Sequence, residues 1–308
     1  MLSIIIPAYN AEKTIVRTLR EYVEYFSAEY EGDFEILVVA NGCTDRTSDL
    51  VLEQCAGFPE VRHNSFEGKI GKGGAIIEGF KAVTGDIVGF VDADNSTAPP
   101  DLYRLVMQLD TCSGTIGSRW LPTSNVVVKQ PLPRRVASRG FNLLVRLAFS
   151  LPFADTQCGA KVFRKAAIDD VIQDLKTPGF AFDVELLYRL QQSGHRMKEV
   201  PITWKDGERS TLDLKATVPA MFLAVVRLRL LNSAAWRLVD NQTITAIYKR
   251  VWIEHKAGFA WRRAANTVKR ITASVAAPSR WSPLGNGVRL VTNNRVVSSV
   301  YNYVGSRR

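Results

Sequence analysis

Asp92 and Asp94 stand one residue apart at the end of the apolar run Gly85-Asp86-Ile87-Val88-Gly89-Phe90-Val91. A chain that turns where such a strand ends lets two carboxylates converge on one hard cation and on the phosphates it carries. A lone Asp-x-Asp is commonly a pair of solvated loop acids. This one lies at the carboxyl end of a strand, where open α/β sheets bind their ligands, and that gives it weight. Upstream, Gly68-Lys69-Ile70-Gly71-Lys72-Gly73-Gly74 sets Lys72 in a glycine-rich loop ahead of a helix. Two readings of Lys72 stay open: a phosphate contact, or a bystander in a loop whose glycines merely turn the chain. The loop matches neither Gly-x-x-x-x-Gly-Lys-Ser/Thr nor the dinucleotide fingerprint, which disfavours P-loop and Rossmann-cofactor chemistry.

The elements that must position these groups alternate. Leu2 to Pro7 reads as a short strand, followed by a helix from Ala11 to about Phe26. Phe34 to Val39 reads as a buried strand ending at Asn41-Gly42, with Thr44 as the N-cap of a helix through Cys55. A weak strand near Val61 precedes the glycine-rich loop, and a helix from Ala75 to Val83 follows it. This order predicts an α/β fold with a mostly parallel central sheet and helices on both faces. Asp183 and Glu185 open a later helix, where first-turn acids commonly serve the helix dipole. His63, His195 and His255 have no metal-ligand spacing and read as structural.

Several motifs carry a family resemblance. Ile6-Pro7-Ala8-Tyr9-Asn10, Gly71-Lys72-Gly73, Val91-Asp92-Ala93-Asp94 and Gly117-Ser118-Arg119 resemble an inverting family 2 glycosyltransferase of the GT-A fold. Asp155-Thr156-Gln157-Cys158-Gly159-Ala160-Lys161-Val162-Phe163 and Phe180-Ala181-Phe182-Asp183-Val184-Glu185-Leu186-Leu187 narrow the match. They resemble dolichyl-phosphate glucosyltransferases and dolichyl-phosphate mannose synthases, the glucosyl type more closely. The resemblance covers about residues 1–212. It implies that Pro7, Ala8 and Tyr9 line a nucleoside pocket and that Asp92 and Asp94 hold Mg²⁺ or Mn²⁺ on the diphosphate of a UDP- or GDP-hexose. It places Lys72 at the donor, Arg119 at donor or acceptor phosphate, and Asp155 in the acceptor-side segment with candidate catalytic residues, alongside Asp94 and Arg119. The family usually has Asp-Asp-Gly-Ser after the second strand, where this chain has Ala40-Asn41-Gly42-Cys43. Asn41 can accept from a base and also donate to it, so base selectivity is open. Ala11 also stands where the family often has Glu.

Displacing a nucleoside diphosphate from an anomeric carbon builds negative charge on the leaving group, and a divalent ion with nearby Lys or Arg stabilises it. A polyprenyl or dolichyl phosphate acceptor is already an anionic nucleophile. It needs cations to bring it close, and Arg119, Arg134, Arg135 and Arg139 are the candidates, since arginine's planar fork suits phosphate. Arg134 and Arg135 can equally be solvated loop charges. A hydroxyl acceptor would instead need a positioned carboxylate such as Asp155 or Asp183.

The 308 residues are 46% hydrophobic, enough for one substantial core and an appendage. The four cysteines form no Cys-x-x-Cys pair and read as reduced cytosolic thiols. The chain starts directly on its first strand, and its most apolar stretches, Phe141 to Ala154 and Ala216 to Leu231, are broken by Arg146, Arg227 and Arg229. Both fall short of the roughly 20 residues of a membrane span. From Asn232 onward thirteen Lys and Arg residues face only Asp240 and Glu254, so the overall charge of +10 lies in the tail. The stretch Thr243 to Ser274 reads as helical, with Trp252, Phe259 and Trp261 among cations. That composition suits the surface of an anionic membrane on its cytosolic face, or a homo-oligomer contact. No recognised nucleic-acid module is present. The expected organisation is a catalytic GT-A domain over 1–212 and an amphipathic, basic helical extension over 213–308. A non-catalytic basic binding protein is the rival, which the intact aspartate pair opposes.

Overall fold

A computed structural model describes residues 1–128, 132–205 and 214–232. The basic tail beyond 232, including the helix expected over Thr243 to Ser274, lies outside the described residues. The first half alternates strictly: β1 (Leu2–Ala8), α1 (Ile15–Glu29), β2 (Phe34–Asn41), α2 (Thr47–Gly57), β3 (Val61–Phe66), α3 (Gly71–Ala82), β4 (Ile87–Phe90). Then come α4 (Pro99–Met107), β5 (Gly114–Ser118), β6 (Asn125–Val128), α5 (Leu132–Phe149) and β7 (Lys161–Arg164). The rest is α6 (Lys165–Asp169), α7 (Phe182–Gln192), β8 (Met197–Pro201), β9 (Thr203–Lys205) and α8 (Leu214–Leu231).

Seven strands form one sheet in the order β3-β2-β1-β4-β7-β5-β8, and β6 and β9 make a small parallel ribbon. Within the large sheet all pairings are parallel except those of β7, which runs antiparallel to β4 and β5. This is the expected mostly parallel α/β sheet. Alternate residues of the strands feed two cores, as the period of two requires. Leu2, Ile4 and Ile6 of β1 pack with Leu19, Tyr22 and Phe26 of α1. Ile5 of the same strand, with Leu37 and Val39 of β2, packs on the opposite face with Ile76, Phe80 and Phe182. A third cluster joins Ile116 of β5 to Val145 and Phe149 of α5 and to Val225 and Leu228 of α8.

Two local expectations are corrected. Thr44 does not cap α2: its backbone N–H donates to Asn10 Oδ1 at 2.8 Å, and the helix begins at Thr47, whose N–H donates to Asp45 Oδ1 at 3.0 Å. The helix expected from Ala75 starts four residues earlier, inside the glycines. Gly73 explains this: a Cβ there would sit 2.5 Å from the Thr177 carbonyl and from Phe182, so α3 can pack this closely only where side chains are absent. Among the described residues no helix is long and apolar enough to cross a membrane.

Candidate active site

The site gathers at the carboxyl ends of β1, β2 and β4. Asn41, the last residue of β2 and only 2% exposed, donates from Nδ2 to the Ala8 carbonyl at 3.3 Å and accepts from the Gly71 N–H at 3.0 Å. One side chain thereby ties the end of β1 to the start of α3. Gly42 follows at φ +63, and a Cβ there would lie 2.8 Å from the Lys69 backbone nitrogen, so the β2 end and the glycine-rich loop touch through a residue that must be glycine. Pro7 is half-buried and Ala8 buried, while Tyr9 is exposed with the Lys69 ammonium 3.6 Å from its ring centroid.

The acidic turn after β4 is pinned from below by α1. Thr18 Oγ1 donates to the Ala93 carbonyl at 3.1 Å, and Tyr22 Oη donates to the Thr97 carbonyl at 2.8 Å. The Ser96 N–H donates to Asp94 Oδ1 at 3.0 Å, which closes the turn. Asp92 Oδ1 meets Lys72 Nζ at 2.7 Å. The other oxygen of Asp92 lies against Gly159, where even a methyl group would overlap it. Burial opposes the Asp92 charge, yet Lys72, aided by Lys161 and Arg119, outweighs it and holds the carboxyl below its ordinary range. Asp94 reaches solvent, but the surrounding protein strips part of its hydration and the Asp92 charge adds to that, so its carboxyl is raised. Lys72 keeps its proton: burial would lower it, and the charges of Asp92 and Asp183 prevail.

Arg119 and Asp155 form a second pair. Asp155 is 0% exposed and accepts from Arg119 Nε at 2.7 Å, Arg119 Nη2 at 2.9 Å, the Arg119 N–H at 3.1 Å and the Gln157 N–H at 3.2 Å. Burial works against its charge, but the Arg119 guanidinium and these bonds hold its carboxyl below the usual range. Glu199 on β8 accepts from the N–H groups of Ala154 and Asp155, each at 2.8 Å, and Asn142 on α5 accepts from Thr156 N–H and Oγ1. The guanidinium of Arg119 lies 5.3 Å from the Trp204 ring and 5.8 Å from that of Trp120, whose other neighbour is Arg139 at 4.8 Å. Arg139 thus joins the Arg119 cluster through Trp120. Arg134 and Arg135 lie on α5, Arg135 half-buried; the Arg134 side chain is outside what the structure describes.

Beneath the cleft Lys161 is 0% exposed, hydrogen-bonded to the Cys158 carbonyl at 2.6 Å and paired with Asp183. Glu185 accepts from the N–H groups of Lys176 and Thr177 at 2.9 and 2.7 Å. Both acids of the α7 first turn therefore have tertiary partners. Cys158, fully buried, is pushed up to about 11 by burial and the Asp155 charge, and stays a neutral packing thiol. Lys161, Glu199, Asn142 and Gly159 were not singled out from sequence as site residues. For Lys161 and Gly159 the only signal was their place in the Asp155 motif.

The comparisons with known proteins agree with this geometry. Residues 3–172 match the model of glycosyl transferase family 2. Dolichyl-phosphate β-glucosyltransferase of Homo sapiens is 31% identical over 261 residues, covering 78% of this chain and 79% of that protein. The Saccharomyces cerevisiae enzyme of the same name is 30% identical over 247 residues, covering 74% of each. Glycosyltransferase AglD of Haloferax volcanii is 32% identical over 247 residues, which is 79% of this chain but 38% of that longer protein. In fold, the chain is similar to glucosyl-3-phosphoglycerate synthase from Mycobacterium tuberculosis, solved with Mn²⁺, UDP and glucosyl-3-phosphoglycerate. The TM-score is 0.56 at 20% identity, covering 76% of this chain and 82% of that one. The chain belongs to glycosyltransferase family 2 and is a glycosyltransferase related to the dolichyl-phosphate β-glucosyltransferases.

Proposed function

We propose that this glycosyltransferase moves a hexose from a UDP- or GDP-hexose to a polyprenyl or dolichyl phosphate, inverting the anomeric carbon, at the cytosolic face of a membrane. Glucose is favoured over mannose by the relatives named above. The observation that carries the reading is the acidic turn Asp92 to Asp94 at the carboxyl end of β4, with Lys72 on Asp92 and the Arg119 charge within its range. A turn with two hard carboxylates, one of them exposed, fits Mg²⁺ or Mn²⁺, which take few protein ligands and share the rest between phosphate and water. Two of the structures of the glucosyl-3-phosphoglycerate synthase that contain UDP also hold a divalent cation, Mn²⁺ in one and Mg²⁺ in the other. When bound, the cation neutralises charge developing on the departing nucleoside diphosphate.

This chain's own groups do the rest. Pro7, Ala8 and Tyr9 wall the nucleoside, and Asn41, its amide engaged by Ala8 and Gly71, fixes that wall in place. Lys72 adds positive charge at the diphosphate. Arg119, Arg134, Arg135 and Arg139 receive the acceptor phosphate, and Asp155 acts through Arg119 by holding its guanidinium. The state of the carboxylates favours a phosphate over a hydroxyl acceptor. Asp155 already accepts four hydrogen bonds and is held ionised, and Asp183 is paired with Lys161. Asp155 is not set to take a proton, and an anionic nucleophile does not ask it to.

In this reading residues 1–212 carry catalysis and 213–308 help hold the enzyme on an anionic membrane surface. The test is to offer radiolabelled UDP-glucose, UDP- and GDP-hexoses with polyprenyl phosphate. An organic-extractable product that releases its sugar in mild acid is expected. Equal transfer to the dephosphorylated polyprenol would overturn the phosphate-acceptor mechanism.

A further inference from the structure

One oxygen of Asp92, Oδ1, is ion-paired with the Lys72 ammonium at 2.7 Å, and the other, Oδ2, is covered on one side by Gly159. The pair is largely withdrawn from water, Lys72 being 17% and Asp92 33% exposed, so their attraction is stronger than that of a surface ion pair. The backbone that carries Lys72 is fixed on both sides. The Gly71 N–H is held by Asn41 Oδ1, and Gly73 is packed on the Thr177 carbonyl and Phe182. Whatever releases Asp92 must therefore be a swing of the lysine side chain, which a compact charge on a flexible stem can make.

We infer that Lys72 is the resident counter-ion of Asp92, and that a divalent cation gains Asp92 only as Lys72 passes to a phosphate of the donor. This rests on the reading of the Asp pair as the cation and diphosphate site. A cation arriving alone faces the ammonium at the same oxygen and, on displacing it, leaves a half-buried lysine without its hydrogen-bonded partner and with only the charges of Asp183 and Asp94 to offset it, which is unfavourable. A nucleoside diphosphate arriving alone meets an ammonium already neutralised. Arriving together, the cation takes Asp92 and the phosphate takes Lys72, and no charge is stranded. Cation and nucleotide are thereby coupled, each raising the affinity of the other by the same factor. Asp94, exposed and with only Oδ1 engaged by Ser96, is the ligand open to a cation beforehand.

The test measures free Mn²⁺ by electron paramagnetic resonance during titration of the full chain, alone and with UDP or GDP. Wild type is compared with Lys72→Met, Lys72→Gln and Lys69→Met. The last removes an equal charge that sits over Tyr9 rather than on Asp92. The two Lys72 variants are expected to bind Mn²⁺ alone about tenfold tighter than wild type and to show about tenfold less tightening by nucleotide, keeping the part that comes from phosphate ligating the cation directly. Lys69→Met is expected to behave as wild type. Equal Mn²⁺ affinity in wild type and both Lys72 variants overturns the inference, as does an equal gain in Lys69→Met, which would mark a general field effect. If Mn²⁺ binding is lost in Asp94→Asn yet indifferent to Lys72, the inference fails while the cation site stands. If no form of the protein binds Mn²⁺ with or without nucleotide, both fail.

Discussion

Thr18 Oγ1 donates a 3.1 Å hydrogen bond to the carbonyl of Ala93, the residue between the two cleft aspartates. Thr18 is fully buried on α1, and Tyr22 one turn later bonds the far end of the same turn at Thr97. The helix that packs on β1 thus also fixes the spacing of the carboxylates. Thr18→Val keeps the shape of the side chain and strands the Ala93 carbonyl. It should lower stability by about 1–3 kcal/mol and weaken Mn²⁺ binding in the presence of UDP. A denaturant midpoint and a metal titration check the two effects separately. Lost stability with unchanged metal affinity would reduce this bond to a fold contact.

The strands were legible because apolar runs such as Ile4-Ile5-Ile6 and Leu37-Val38-Val39 can only be buried, and the Asp pair because it ends such a run. What sequence hid was contact across distance. Arg119 and Asp155 lie 36 residues apart and meet because β7 inserts antiparallel between β4 and β5. Lys161 stands at the head of β7 with nothing in its local sequence to name its partner, yet Asp183 on another element pairs with it in the interior. Glycines 71, 73 and 74 argue against a helix by propensity, and tertiary packing overrides that. Thr44 has the chemistry of an N-cap, but Asn10 of the loop between β1 and α1 engages it instead.

On the proposed function, Asp94→Asn removes one anionic cation ligand from an exposed position. Transfer should nearly cease, with the melting temperature unchanged or raised, because the wild-type carboxyl is held above its ordinary value and its charge is disfavoured in the fold. Full turnover by this variant, or undiminished wild-type turnover in excess chelator, would remove the aspartates from the metal assignment.

Asp155 makes stability depend on acid in a definite direction. Its folded carboxyl lies below the unfolded value of about 3.9, so the Arg119 pair contributes fully above that value and is lost as pH falls through the lowered one. Urea midpoints of wild type and Asp155→Asn should differ most near neutrality and converge in strong acid. A constant difference at all pH would show that the asparagine lost packing rather than charge. Arg119→Lys should also raise the apparent KM for the lipid phosphate, because a point charge cannot reproduce the two-pronged contact with Asp155 that sets the guanidinium.

Lys161→Met should be more damaging to the fold than either change above. Removing one partner of a buried pair leaves Asp183 charged in the interior, at a cost of about 3–5 kcal/mol. The double variant Lys161→Met with Asp183→Leu should recover much of that, since two apolar residues leave no charge behind. Chemical denaturation of the single and double variants gives the coupling directly, and additive losses would mean that the pair is not the source.

The last prediction concerns how the enzyme meets its acceptor. Val136, Leu143 and Leu147 of α5 are exposed, Leu147 at 75%, and they fall on one helical stripe with Arg139 and Arg146 also exposed. Phe222 and Val226 are exposed on α8, which packs against α5 through Val225 and Leu228. Neither helix contains an acidic residue. An apolar stripe flanked by Arg139 and Arg146, on a helix without acids, suits the interface of an anionic bilayer, where buried side chains and charge attraction act together. On the proposed function this surface, and not the basic tail alone, brings the cleft to the lipid. Leu143→Glu with Leu147→Glu should lower binding to phosphatidylserine vesicles and turnover on long polyprenyl phosphate. Turnover on a short, water-soluble prenyl phosphate should be kept, because neither residue touches the cleft pairs. Salt should weaken binding of the wild type, as screening requires. Vesicle binding that is indifferent to these substitutions would move membrane attachment to other residues.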